Sequence, residues 1–252
     1  MSNTIEFNII GDIAGRYKTL QKLLDKMPKN ATPVSVGDMV DRGPYSKEVL
    51  DFFMNNGKAI LGNHEHMMID FYRQNDFYQR GIWLMNGGVK ALNSFGVPEF
   101  EPGGMSHKDL IELTHQKIDE KYIKYLESLP KFIETDDLII THAPINPSIP
   151  FEKLLELGNG ALSHQTEVSI LWNRGRTRRR DKFQVHGHNA YSKYQELRDK
   201  DGLYGINLDS SRGSVLTGLH WPSMEIFEQQ GDFWWKVVKN NITVEVLPID
   251  QL

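Results

Sequence analysis

Cysteine is absent from all 252 residues. That excludes disulfides, thiolate zinc sites, iron–sulfur clusters and any phosphoryl transfer through a cysteine nucleophile. A metal bound by this chain is held by oxygen and imidazole. Long apolar runs are also missing: none approaches the ~20 residues needed to span a bilayer. The chain opens with a polar tetrapeptide before a strand candidate, not with a basic segment and an apolar signal core. An excess of positive charge is lacking too. The net charge of −4 offers no general attraction to double-stranded DNA or an anionic membrane. Repeats, low-complexity tracts and long Gly/Ser linkers are not found. The expectation is one domain over 1–252 in a cytoplasmic protein, with no membrane partner and no double-stranded DNA partner.

What is present is a recurrent pattern. The apolar run Ile5 to Ile10 ends at Gly11-Asp12. Leu20, Leu23, Leu24 and Met27 then repeat at helical spacing. Val34 and Val36 lead to Gly37-Asp38, Val49 to Phe53 mark another helix, and Ala59 to Leu61 lead to Gly62-Asn63. This β-α-β-α-β order predicts a parallel sheet flanked by helices. Residues 106–128 read as helical, with Leu110, Leu113, Ile118 and Tyr122 on the apolar stripe. Leu138 to Ile140 is a strand ending at Thr141-His142, and Phe183 to Val185 is another ending at His186-Gly187-His188. Alternating segments at Val215 to Leu219, Trp234 to Val238 and Thr243 to Leu247 predict a strand-rich final third. Asp12, Asp38, Asn63, His142 and His188 each follow a predicted strand. Loops at the carboxyl ends of strands line one crevice in α/β sheets, so these five donors are expected to converge.

Taken singly, each residue has a plainer reading. Asp12 and Asp38 suit turns or helix caps, and His142 suits a satisfied core ring. Arg42 suits an exposed surface, and Arg174 belongs to the basic run RGRTRRR at 174–180. His64, like His66, His107 and His115, suits a surface loop. The joint pattern changes the balance. GDI at the start, GDMVDRG at 37–43, LGNHEHMMID at 61–70, WNR at 172–174 and Gly187-His188 resemble the PPP-type calcineurin-like metallophosphoesterases. The resemblance is to those of the small bacterial and bacteriophage lambda phosphatase kind. It runs from about residue 5 to about residue 220 and preserves the order of every motif.

The resemblance implies an α/β fold, a four-layer αββα sandwich of two mixed β-sheets. It implies two divalent ions, Mn²⁺ first with Fe or Zn as alternatives. Asp12 would bind the first ion, Asp38 would bridge both, and Asn63, His142 and His188 would bind the second. Oxygen and imidazole donors suit such ions, and paired ions acidify a shared water. His64 would protonate the leaving alkoxide and Asp41 would orient it, while Arg42 and Arg174 would grip the phosphate. The reaction implied is phosphomonoester hydrolysis by direct attack of metal-bound hydroxide. DRG with GNHE points to a phosphorylated protein or peptide substrate, foremost phosphoserine or phosphothreonine. The basic run points instead to a nucleotide, a dinucleoside polyphosphate or an RNA end.

One position departs from the family pattern. Ala14 stands where the resemblance places a metal-binding histidine. Decay into a silent phosphoprotein-binding module would be expected to erode several site residues. Only one is replaced here, which favours an inactivating His-to-Ala change in an otherwise functional phosphatase.

Overall fold

The computed structural model describes residues 5–74, 81–100, 104–156, 169–175, 177, 181–231, 233–235 and 246–248. Its centre is β1 (Phe7–Ile10), all four residues of which are buried. A strand covered on both faces is apolar apart from polar groups that find partners, and Asn8 finds them in the Pro28 carbonyl and His220. β1 pairs in parallel with β2 (Thr32–Ser35), and β2 in parallel with β3 (Lys58–Ala59). On its other edge β1 pairs antiparallel with β9 (Val215–Trp221), which carries β10 (Glu225–Gln230). The second sheet has the order β4 (Phe132–Glu134), β5 (Leu138–Thr141), β6 (Phe183–His186), β8 (Gly202–Asn207), β7 (Gln195–Asp199). β5, β6 and β8 are parallel, and the two edge strands run against them. β11 (Phe233–Trp235) and β12 (Val246–Pro248) pair antiparallel in a separate two-stranded sheet.

The two mixed sheets face each other across an apolar layer. Ile9, Val34, Val36 and Ile60 of the first meet Leu138, Ile140, Val185 and Ile206 of the second in one buried cluster. The neighbours Ile10 and Ile139 belong instead to the cluster beneath the helices, as the two-residue period of a strand demands. Helix α1 (Tyr17–Lys26) covers β9 and β10, and α2 (Ser46–Asn56) covers β2 and β3. Helix α3 (Asn63–Arg73) begins on the residue that follows the third strand's loop. This is the αββα sandwich, the fold expected from the sequence.

Two local expectations are corrected. The single helix over 106–128 is two helices, α5 (His107–Lys117) and α6 (Glu120–Ser128), following α4 (Val89–Ser94). Ser106 caps the first through its hydroxyl, which accepts from the Asp109 amide. Asp119 caps the second by accepting from the Lys121 amide. The apolar stripe continues across the break because Ile118 stays buried, so spacing alone hid it. His66, His107 and His115 lie on helices rather than in loops, with His66 Nδ1 3.4 Å from Asp70 Oδ2 on α3. Residues 176 and 178–180 of the basic run, and the predicted strand residues 236–238 and 243–245, fall outside the described residues.

Candidate metal centre

Asp38, Asn63, His142 and His188 lie together, and Asp12 stands beside them, its carboxylate accepting from the His188 amide at 3.2 Å. Asp12 lies two residues beyond β1, Asp38 three beyond β2, His142 directly after β5 and His188 two beyond β6, and all are buried. Asp38, His142 and His188 each offer a ligand atom within 4.8 Å of the others. Asn63 Oδ1 stands 2.9 Å from both His142 Nε2 and His188 Nδ1, and Asp38 Oδ1 is 3.3 Å from His142 Nε2. Donors at ~2.1 Å around one ion keep about these separations.

Electrostatics favour a cation here. His142 Nδ1 lies 2.8 Å from the Val36 carbonyl, which can only accept, so Nδ1 carries the proton. In the neutral ring the Nε2 lone pair therefore faces the oxygens of Asn63 and Asp38. A positive centre is needed between Nε2 and these oxygens, supplied either by a second proton on the ring or by a bound cation. His188 Nε2 is buried without a hydrogen-bond partner among the described residues. Burial, then the charges of Asp209 and Asp38, push Asp12 well above the usual carboxylate range. Burial acts the same way on Asp38, but the imidazoles of His142, His64 and His188 and the Arg42 charge outweigh it and hold that carboxyl low. The donor set fits a borderline divalent ion, whose charge would offset this cluster of carboxylates.

The backbone is arranged to the same end. Ala14, Asp38, Asp41, Arg42 and His188 all have φ between 50 and 73. Left-handed conformations cost non-glycine residues about 1 kcal/mol or more and collect where a site fixes side-chain direction. Glu65 supplies part of the restraint. Its carboxylate accepts from the amides of Asp38, Met39, Val40 and Gly62 at 2.7 to 3.1 Å. Burial and the Asp38 charge push Glu65 up to about 7, against those donors. Ala14 is tied in too, its amide donating to the Asp38 carbonyl at 2.7 Å.

His64 sits beside this cluster. Its Nδ1 is 2.5 Å from Asp41 Oδ2, and its Nε2 accepts from Arg42 Nη2 at 2.9 Å. Nε2 is also 3.7 Å from Asp38 Oδ2. Burial acts to lower the imidazole, but the carboxylates of Asp38 and Asp41 outweigh it and hold His64 above its ordinary value. A ring with its far nitrogen anchored and its near nitrogen toward the donor cluster can pass a proton to a departing group. Arg174 is exposed, with Nη1 3.3 Å from the His188 carbonyl. His186 ends β6 and is not among the converging donors; burial and then the His142 charge lower its ring to about 4. Two residues that the motifs do not single out also border the site. Trp83 donates its indole N–H to Asp41, and Asp209 is buried beyond β8, where it acts on Asp12.

Two sheets with metal-competent loops at one edge define a metallophosphoesterase. The profile of the calcineurin-like phosphoesterases matches residues 5–215, and the chain belongs to that family. The serine/threonine-protein phosphatase 1 of Salmonella typhimurium (strain LT2) is 39% identical over 84 residues, which cover 32% of this chain. This chain spans 38% of that relative's length. The asymmetrical bis(5'-nucleosyl)-tetraphosphatase PrpE of Bacillus subtilis (strain 168) is 23% identical over 237 residues, 87% of this chain and 92% of the relative. A crystal structure named provisionally as a diadenosine tetraphosphatase superposes with a TM-score of 0.59 at 20% identity, covering 91% of this chain and 95% of that one. At that identity the likeness speaks for the fold.

Proposed function

We propose that this chain is a phosphomonoesterase that uses two divalent ions, manganese first among the candidates, with a phosphorylated protein or peptide as substrate. Residues 1–252 would form one catalytic domain. The observation that carries this reading is the His64–Asp41 pair standing against the Asp38, Asn63, His142 and His188 cluster, with Arg42 bonded to the same imidazole. Asp12 and Asp38 would hold the first ion, and Asp38, Asn63, His142 and His188 the second. Divalent ions supply Lewis acidity and a water of lowered pKa. Arg42 and Arg174 would turn their guanidinium groups to the phosphate oxygens. Once Arg42 has turned away, His64 would take up a proton at Nε2 and deliver it to the leaving oxygen, while Asp41 keeps Nδ1 protonated.

Position 14 decides how much of this the chain performs. With alanine there, Asp12 and Asp38 would hold the first ion without an imidazole beside them. Ala14→His is therefore expected to raise bound manganese from about one ion to two and to increase phosphopeptide hydrolysis. Both forms should be assayed with Mn²⁺ against phosphoserine and phosphothreonine peptides, nucleoside triphosphates and diadenosine tetraphosphate. No gain in rate, together with tight phosphopeptide binding, would replace this reading with a silent binding module.

A second reading is a dinucleoside polyphosphate or other nucleotide phosphatase. It is favoured by the length of the PrpE match, which spans most of both chains, whereas the match to the Salmonella protein phosphatase spans 84 residues. Nucleotide turnover far above phosphopeptide turnover in the same assay would select it.

A further inference from the structure

We propose that Trp83 is a positioning residue for His64, acting through Asp41; this rests on the role given to His64 above. Trp83 is fully buried, and its Nε1 lies 3.0 Å from Asp41 Oδ1 and 2.9 Å from Oδ2. An indole N–H is a donor only, so both Asp41 oxygens accept from it. Oδ2 also faces His64 Nδ1. The carboxylate is thus gripped from one side by the indole and from the other by the imidazole. Rotation that would release His64 would also break the indole contact in a dry interior, where an unpaired donor is costly. A buried tryptophan that only filled space could satisfy its N–H with any carbonyl. Here it spends it on the carboxylate of the proton-transfer pair.

The segment that follows Trp83 is shaped for the same task. Leu84–Gly88 is a kink between two helical segments, broken at Gly87, whose φ of 115 and ψ of 1 are not helical. The Gly87 carbonyl accepts from the Arg42 amide at 3.2 Å. Gly87 has φ 115, and a Cβ there would stand 2.7 Å from that amide nitrogen. Gly88 leaves room for the indole, since a Cβ would come within 2.6 Å of the Trp83 ring. One turn therefore holds Asp41 by its side chain and Arg42 by its backbone, both in left-handed conformations. The spacing Trp83, Gly87, Gly88 follows from these contacts.

The test compares Trp83→Phe, which keeps a ring and removes the N–H, with 3-benzothienylalanine at position 83, which keeps the bicyclic shape and replaces N–H by sulfur. Steady-state rates are measured with Mn²⁺ on p-nitrophenyl phosphate and on phenyl phosphate, in whichever of the Ala14 and Ala14→His forms is active. The expected result is a kcat loss of about tenfold or more on the poor leaving group, the scale of disturbed supporting contacts and part of the 10²–10⁴ of general acid catalysis. The loss on the good leaving group should be several-fold smaller, with KM and bound manganese unchanged. Equal losses on both substrates would overturn the proposal. If Trp83→Phe fails to fold, the benzothienyl protein carries the comparison. If no form hydrolyses either substrate, it is the functional reading that fails. The downfield His64 Nδ1–H proton resonance of metal-free protein, identified by its absence in His64→Asn, then decides the positioning. Its loss on removal of the indole N–H supports the role, and its persistence unchanged refutes it.

Discussion

The backbone amide of His188 donates to both carboxylate oxygens of Asp12, at 3.2 Å each, across 176 residues of sequence. This bond joins the loop after the first strand of one sheet to the loop after a central strand of the other. Gly187 makes the approach possible, because a Cβ at that position would overlap Asp12 Oδ1. Gly187→Ala is expected to destabilise the fold by about 1–3 kcal/mol, the usual cost of overpacking. It should also weaken manganese binding. Urea unfolding and titration calorimetry check both; an unchanged midpoint with unchanged affinity would contradict the contact.

His64→Asn should separate chemistry from metal binding. Asn63 and Asp38 remain, so bound manganese should match the parent. In the active form, kcat on a poor leaving group should fall by about 10²–10⁴, the contribution of a placed general acid. The fall should be much smaller on p-nitrophenyl phosphate. Because Asp38 and Asp41 hold this imidazole above its ordinary value, the acid form should persist above the usual imidazole range before activity falls with rising pH. A falling limb below that range would count against His64 as the acid.

His186 gives a stability signature. Burial and the His142 charge lower its ring to about 4, while an unfolded chain takes up the proton near 6.5. Between those values the unfolded state binds more protons, so the contribution of His186 is present above about 6.5 and is lost as pH falls toward 4. His186→Gln should therefore cost most near neutrality, with the gap to the parent shrinking by up to about 3 kcal/mol at pH 4. Urea midpoints of the two proteins across that range measure it, and a constant gap would show the assignment to be wrong.

Ser106→Ala and Asp119→Ala should each cost about 1 kcal/mol, since each removes the side-chain acceptor of a helix N-terminus. Ala substitution at Lys108, an exposed residue in the first turn of the helix that Ser106 caps, is the control and should stay within about 0.5 kcal/mol. Thermal or urea unfolding distinguishes these outcomes.

Legibility in the sequence was uneven for physical reasons. β1 and β2 were readable because apolar residues in each lead into a glycine and a carboxylate. The convergence of Asp38, Asn63, His142 and His188 was readable because strand ends fix loop positions. The break at Ile118-Asp119 was not, since burial of Ile118 keeps the helical spacing intact across it. Trp83 was not, because nothing near it in sequence distinguishes a core indole from one bonded to Asp41. Asp209 likewise follows an ordinary strand, and only its proximity to Asp12 gives it electrostatic weight.

By itself the sequence determined which atoms are available: oxygen and imidazole donors without thiolates, carried on strands whose order sets one edge as their meeting place. It also determined what stands at position 14. Tertiary structure decided which of those atoms face one another. Hydrogen-bond direction, left-handed backbone and burial depend on neighbours tens to hundreds of residues away, and these turn Asp41, His64 and Trp83 into one connected group.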